Sequence, residues 1–132
     1  MLLTTSIIAA ILTIIFLKLS FAVIALRRKH QVSLGDGGIE PLDWAIRAQG
    51  NFSEYAPFAM ILLACLEING APWQAVAILG TAFISSRLFH AKGFNATSPS
   101  MRTRILGMQL TFLSLIALAA LNIVLVLFKL LE

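Results

Sequence analysis

Arg47, Asn51 and Glu54 stand in the run Arg47-Ala-Gln49-Gly-Asn51-Phe-Ser-Glu54-Tyr55-Ala-Pro57-Phe58, and the apolar stretch from Ala59 to Leu66 follows at once. A helix turns ~100° per residue, so positions i, i+4 and i+7 fall on one face, with Tyr55 beside them. A guanidinium, an amide and a carboxylate on one face suit an anionic or zwitterionic ligand. In lipid they are expensive: a central Arg or Asp costs roughly 2.5–3.5 kcal/mol on insertion scales, and Glu54 should cost something similar. Polar groups at this depth must face protein, water or a bound ligand. Two readings are open for the triplet: a ligand site, or a structural Arg–Glu–Asn network that ties helices together.

Other polar residues lie at the same depth. Arg87, His90 and Phe94 share a helix face at i, i+3 and i+7, and can be either an anchor at the membrane edge or part of a site. Arg102 and Arg104 open the last apolar segment from the same side; i and i+2 point roughly 200° apart, so only one can face a pocket. Topology signalling is the plainer role for at least one of them. Lys18 suits a structural role, Glu67 and Lys129 lie where they can reach the interface, and Gln109, Ser114 and Asn122 are candidate interhelical donors. Pro57 has no N–H, so the carbonyl of Ser53 loses its helical donor and a kink is expected there. The polar residues of the second, third and fourth segments thus converge in one leaflet. That arrangement suits an anionic or zwitterionic ligand from the cytoplasm meeting an apolar reactant from the bilayer.

The elements that must position these residues are membrane helices. Of 132 residues 59% are hydrophobic and only 12% charged, which is more apolar surface than a soluble domain of this size can hide. The net charge of +4 does not indicate a nucleic-acid partner, because the basic residues cluster at helix ends and no basic patch is interleaved with aromatics. His30 and His90 have no nearby Cys or His, so no metal site is expected, and the single Cys65 lies in an apolar run.

Four segments can each span ~30 Å of hydrocarbon: Leu2 to Leu26, Pro41 to Asn69-Gly70, Pro72 to His90, and Ile105 to Phe128. The first has no basic n-region and is too long for a signal-peptide core, so it reads as an uncleaved spanning helix. The connections after the first and third segments carry Arg27, Arg28, Lys29, Lys92, Arg102 and Arg104; the Asn69-Gly70-Ala71-Pro72 hairpin carries no Lys or Arg. The positive-inside rule then predicts both basic connections in the cytoplasm and both termini outside. With no repeat or linker, residues 1–132 read as one domain: an all-α membrane protein, a bundle of four transmembrane helices.

The second-segment motif resembles the signature of the MAPEG family, the membrane-associated proteins of eicosanoid and glutathione metabolism. Its wording is similar to that of leukotriene C4 synthase. Leu34-Gly35-Asp-Gly-Gly38, the Arg47–Glu54 motif, Glu67-Ile-Asn-Gly70-Ala71 and Arg87-Leu-Phe-His90 together resemble a small bacterial inner-membrane branch, the YecN-like proteins. The resemblance covers nearly the whole chain. It implies a homotrimer of four-helix subunits in the bacterial inner membrane, with glutathione bound between neighbours near the cytoplasmic face. Arg47, Gln49, Asn51, Glu54 and Tyr55 would correspond to glutathione contacts, Arg27 or Arg28 would meet a carboxylate of the tripeptide, and Arg87 and His90 would join the site. His90 falls where the prostaglandin E synthase branch has a histidine. Phe94 falls on a family tyrosine, a departure that removes a hydroxyl donor and sets the chain apart from eicosanoid-type chemistry.

The activating arginine implied for the start of the fourth helix is Arg102 or Arg104. Arg102 needs the shorter alignment gap and is the first choice. A cation beside the sulfur favours thiolate over thiol, and the thiolate would attack a hydrophobic electrophile or a peroxide dissolved in the membrane lipid. The implied activity is a glutathione transferase or peroxidase of the microsomal type. The alternative is a non-catalytic lipid- or substrate-binding protein on the same fold. A small multidrug transporter is disfavoured, because such proteins rely on a carboxylate deep in the first helix and this one has only Lys18.

Overall fold

The computed structural model describes residues 1–94 and 99–131, and these form four helices: α1 (Leu3–His30), α2 (Glu40–Ile68), α3 (Trp73–Lys92) and α4 (Met101–Leu131). The expected all-helical membrane bundle is what forms. α1, α2 and α4 are each long and apolar enough to cross a bilayer. α3 has 20 residues, enough for ~30 Å, but carries Arg87, His90 and Lys92 near its end. The helices expose apolar stripes rather than hide them: Ile7, Ile14, Phe21 and Ile24 on α1, and Leu113, Ile116, Ile123 and Leu127 on α4. Surfaces of this kind belong against lipid.

Caps, not hydropathy, set the helix ends. α1 continues past Leu26 through the basic Arg27–His30 turn and stops where Gln31 turns left-handed (φ 56°). There the Val32 N–H closes on the Arg27 carbonyl at 3.0 Å, a Schellman-type ending. α2 runs unbroken through Pro57 and ends in the same way at Gly70 (φ 85°): the Ala71 N–H reaches the Leu66 carbonyl and the Gly70 N–H the Glu67 carbonyl, both at 3.1 Å. α4 starts four residues before the apolar run that suggested Ile105. Ser100 caps it, its Oγ accepting the Thr103 N–H at 3.3 Å. Arg102 and Arg104 are therefore first-turn helical residues with fixed directions.

α3 and α4 form the most extensive helix pair; α1 packs on α2 and α3, and among the described residues it makes no helix contact with α4. The core is narrow: Ile8 and Leu12 of α1, Phe52, Ala56, Ala59 and Leu63 of α2, Val76 and Phe83 of α3, and Leu118 of α4. Small residues bring the backbones together, the usual device where lipid, not water, surrounds the bundle. A Cβ on Gly107 would lie 2.5–2.7 Å from the backbone and Cβ of His90, so only glycine permits this α3–α4 approach. The two ends of the bundle differ. One carries the 31–39 connection and the start of α4 and is rich in Lys and Arg (the basic end). The other carries the α2–α3 turn (the hairpin end).

Candidate functional site

At the basic end, α2, α3 and α4 enclose an open cavity of about 460 Å³, within the range of small-molecule sites. α2 contributes Arg47, Gly50, Asn51 and Glu54, α3 contributes His90, and α4 contributes Arg104 and Met108, with Phe94 beyond the end of α3. The triplet read from helical spacing therefore lines one wall. Arg47 is exposed, and its Nε donates to both Asp43 carboxylate oxygens at 2.7 and 3.0 Å. Glu54 is exposed in this single chain. A carboxylate exposed in the middle of an apolar helix needs a partner that this single chain does not supply, a ligand or another chain.

The opposite wall is aromatic and basic. The Arg104 guanidinium lies over the Phe94 ring, 4.0 Å from its centroid, and Phe94 meets the His90 ring edge-on at 5.2 Å. Cation–π contact of this kind holds the arginine head against the wall. Of the two candidate arginines, the structure brings Arg104 to the cavity; Arg102 is exposed and lies outside it. The expectation that Arg102 faces the pocket is thus not met within this single chain. The reason is α4's buried stripe, Gly107, Thr111, Ser114 and Leu118. Arg104 continues that i, i+3, i+7 stripe toward the N-terminus, and Arg102 points away from it.

Behind the cavity sits Arg87. It is 1% exposed, not the membrane-edge anchor its position in the sequence also allowed. Its Nη1 donates to Thr111 Oγ1 at 3.0 Å and its Nη2 to Asn51 Oδ1 at 2.5 Å, with His90 Nδ1 at 3.4 Å from the same Nη2. The rings of Phe52 and Tyr55 lie 5.8 and 5.7 Å from the guanidinium. Thr111 and Ser86, paired at 3.0 Å, extend the network between α3 and α4. Thr111 was not a residue the sequence singled out. The signal that could have found it is its place on the buried stripe, four residues after Gly107.

The remaining candidates fall elsewhere. Tyr55 packs edge-on against Phe112 at 5.7 Å, and Gln49 turns toward Ser53; neither lines the cavity. Arg27 and Arg28 line a separate basic cavity of about 350 Å³ with Gln31, Val32 and Ser33, where Arg27 Nη1 donates to the Ser33 carbonyl at 3.2 Å. At the hairpin end, the Glu67 carboxylate accepts the N–H groups of Thr4 and Thr5 at 3.0 and 2.8 Å. It caps α1, which has no side-chain cap of its own. Of the expected interhelical donors, Asn122 reaches across to the Leu62 carbonyl at 3.0 Å, while Ser114 bonds within its own helix. Among the described residues no cluster of His, Cys, Asp and Glu could hold a metal ion.

Fold and cavity define the class: a helical membrane bundle with a polar, arginine-lined cavity at one end. The MAPEG family model matches residues 5–124, and the chain belongs to the MAPEG family. It is similar to the inner membrane protein YecN of Escherichia coli strain K12, 36% identical over 115 residues, which are 87% of this chain and 86% of that relative. The YecN protein of Escherichia coli O6:H1 matches to the same extent.

Proposed function

We propose that this protein binds glutathione in the α2–α4 cavity and either joins the whole tripeptide through its sulfur to hydrophobic electrophiles, with departure of the electrophile's leaving group, or reduces lipid-borne peroxides to alcohol and water as two glutathiones are oxidised to the disulfide. The observation that carries the reading is the polar set gathered there: donors from the Arg47 and Arg104 guanidinium groups, the Asn51 amide and the His90 ring, and one acceptor, the Glu54 carboxylate. Glutathione has two carboxylates, one ammonium and one thiol. Arginine forks match carboxylates, and Glu54 matches the ammonium.

When bound, the tripeptide supplies a nucleophilic sulfur. The chain's residues bind it, orient it and favour its ionised form. Arg104 is the activating cation in this reading, because it lies on the cavity. At ~4 Å and an effective dielectric near 20, one cation contributes about 4 kcal/mol of attraction before desolvation is subtracted; a third of that is about one pKa unit. The apolar reactant is served by a groove of about 330 Å³ between α1 and α2, lined by Leu12, Phe16, Phe52, Ala56 and Met60.

The same reading places the protein in the bacterial inner membrane, with four helices spanning, both basic connections in the cytoplasm and both termini outside. A homotrimer accounts for the exposed Glu54, and a neighbour's Arg27 or Arg28 completes the site. A reporter fused after Glu132 that is active only in the cytoplasm would overturn the orientation.

The test is conjugation of glutathione to an aromatic chloro-electrophile by the detergent-purified protein, with thiol binding measured in parallel. Turnover and binding are expected, and Glu54→Gln should weaken binding while the assembly stays intact. Binding without turnover would favour a non-catalytic, substrate-presenting protein, a reading that Phe94, with no hydroxyl, also supports. Absence of both would sink the proposal.

A further inference from the structure

Arg87 sits one layer behind the cavity, and the chemistry of its partners follows from what a guanidinium can do. Arginine has donors and no acceptor. The Asn51 atom facing it is therefore the amide oxygen, as the 2.5 Å contact from Nη2 shows. An amide whose oxygen is turned toward Arg87 turns its NH2 group the opposite way, and that group is what it offers the cavity. The same logic applies to His90. Its Nδ1 lies 3.4 Å from Nη2; facing a donor, that nitrogen must accept, and the ring proton then resides on Nε2. Asn51 and His90 both line the cavity. Arg87 thus fixes two side chains that could each have presented either polarity.

The charge of Arg87 points the same way. It is 1% exposed, its Nε has no hydrogen-bond partner, and the ion pair found among the described residues is Arg47 with Asp43, not Arg87. A buried cation without a counter-ion is costly, and an anion placed against Asn51 and His90 would offset it. Glu54 is the acidic side chain on the cavity, and the ion pair found among the described residues does not include it.

We propose that Arg87 is a positioning residue that sets Asn51 and His90 as N–H donors, making this part of the wall selective for an anionic acceptor, a thiolate or a carboxylate. The proposal deepens the glutathione reading and rests on it for the identity of the ligand. Arg87 does not line the cavity itself; it acts through the two residues that do.

The experiment uses the full chain in detergent and compares wild type with Arg87→Gln, Arg87→Lys and Asn51→Asp. Glutathione and S-methylglutathione affinities, the ultraviolet thiolate band and the thermal unfolding midpoint are measured for each. Gln can accept as well as donate, so Arg87→Gln unlocks both partners. Lys is donor-only and should restore them. Asn51→Asp keeps a partner for Arg87 but turns an acceptor toward the cavity, so it should unfold no earlier than wild type yet bind glutathione about tenfold more weakly or worse, the size of a lost hydrogen bond to a charged group. Arg87→Gln should show a similar loss, and Arg87→Lys should recover most of it.

A loss confined to glutathione identifies the acceptor as the thiolate; an equal loss for S-methylglutathione identifies a carboxylate. Folded Asn51→Asp protein with wild-type affinity and an unchanged thiolate band would overturn the proposal. If Arg87→Gln does not fold, Asn51→Asp still decides. If wild type ignores glutathione but is stabilised against heat by inorganic sulfate, and Asn51→Asp abolishes that stabilisation, the donor wall stands and the glutathione reading falls. If wild type responds to neither, both fall.

Discussion

The two ends of the bundle use similar residues to opposite effect. At the hairpin end, Glu67 closes on the Thr4 and Thr5 amides and Asn122 donates to the Leu62 carbonyl. Each side chain is tied to the backbone of another helix. At the basic end, Asn51 and His90 bond sideways to another side chain, Arg87, and keep a face on the cavity; Glu54 and Arg104 line the same space. A polar residue in a membrane helix is therefore not diagnostic by type. What separates glue from site is whether its partner is a backbone group that uses up its polarity, or a side chain that only orients it.

The largest effect expected at the basic end is on Arg104. If it ionises the bound thiol, Arg104→Ser should lower conjugation turnover about a hundredfold, the range seen when one preorganised electrostatic group is removed, and should erase the thiolate absorbance. Arg102→Ser should leave both near wild type. The reverse pattern would mean that Arg102, which lies outside the cavity of the single chain, reaches the thiol in the proposed trimer instead. Gly107→Ala comes next. Its Cβ would press on the His90 backbone, so α3 and α4 must part or strain at about 1–3 kcal/mol. Thermal unfolding in detergent should fall and glutathione binding with it, because Thr111 and His90 hold Arg87 from those two helices. An unchanged midpoint would show that the α3–α4 approach is not needed for stability.

How far the sequence discloses this depends on whether the information lies within one helix or between two. Arg47, Asn51 and Glu54 were legible because one helix's periodicity puts them on one face. The bundle was legible from composition and from four apolar runs. Arg87 was ambiguous, since its position near a segment end fits an anchor as well as a core residue. Its burial is decided by Gly107 and Thr111 on a different helix. Arg102 and Arg104 are hard to separate for a related reason: a gap length favours Arg102 but says nothing about facing, and it is Arg104 that lines the cavity of this chain. The spacing 104, 107, 111, 114, 118 puts Arg104 on the buried face of α4 once the helix is taken from its Ser100 cap rather than from the first apolar residue. The Glu67 cap on α1 joins residues more than sixty positions apart, and no local pattern announces it.

At the hairpin end the effects should be smaller and confined to stability. Glu67→Ala leaves two first-turn amides of α1 without an acceptor, a loss of about 1 kcal/mol by analogy with other N-caps. The unfolding midpoint should drop while glutathione affinity holds. A loss of affinity would mean that α1 transmits strain along its length to the cavity, and the two ends would not be separable.

Asn122→Leu should have the smallest effect. Asn122 Nδ2 donates to the Leu62 carbonyl at 3.0 Å and to the Leu118 carbonyl of its own helix at 2.9 Å. Both carbonyls lie inside continuous helices, where an i+4 amide serves each of them, so the side-chain bonds occupy second lone pairs. Losing those bonds leaves no backbone group unpaired. The Asn122 Oδ1 is itself buried without a partner, a penalty that leucine removes. The net change should lie near the ~0.6 kcal/mol average for interhelical side-chain bonds in membranes, or below it. Asn51→Leu is the matched substitution at the basic end: it strips the acceptor from a buried guanidinium and one donor from the cavity, and should cost far more in both unfolding and binding. If the two leucine variants prove equally mild, Asn51 is glue of the same kind as Asn122.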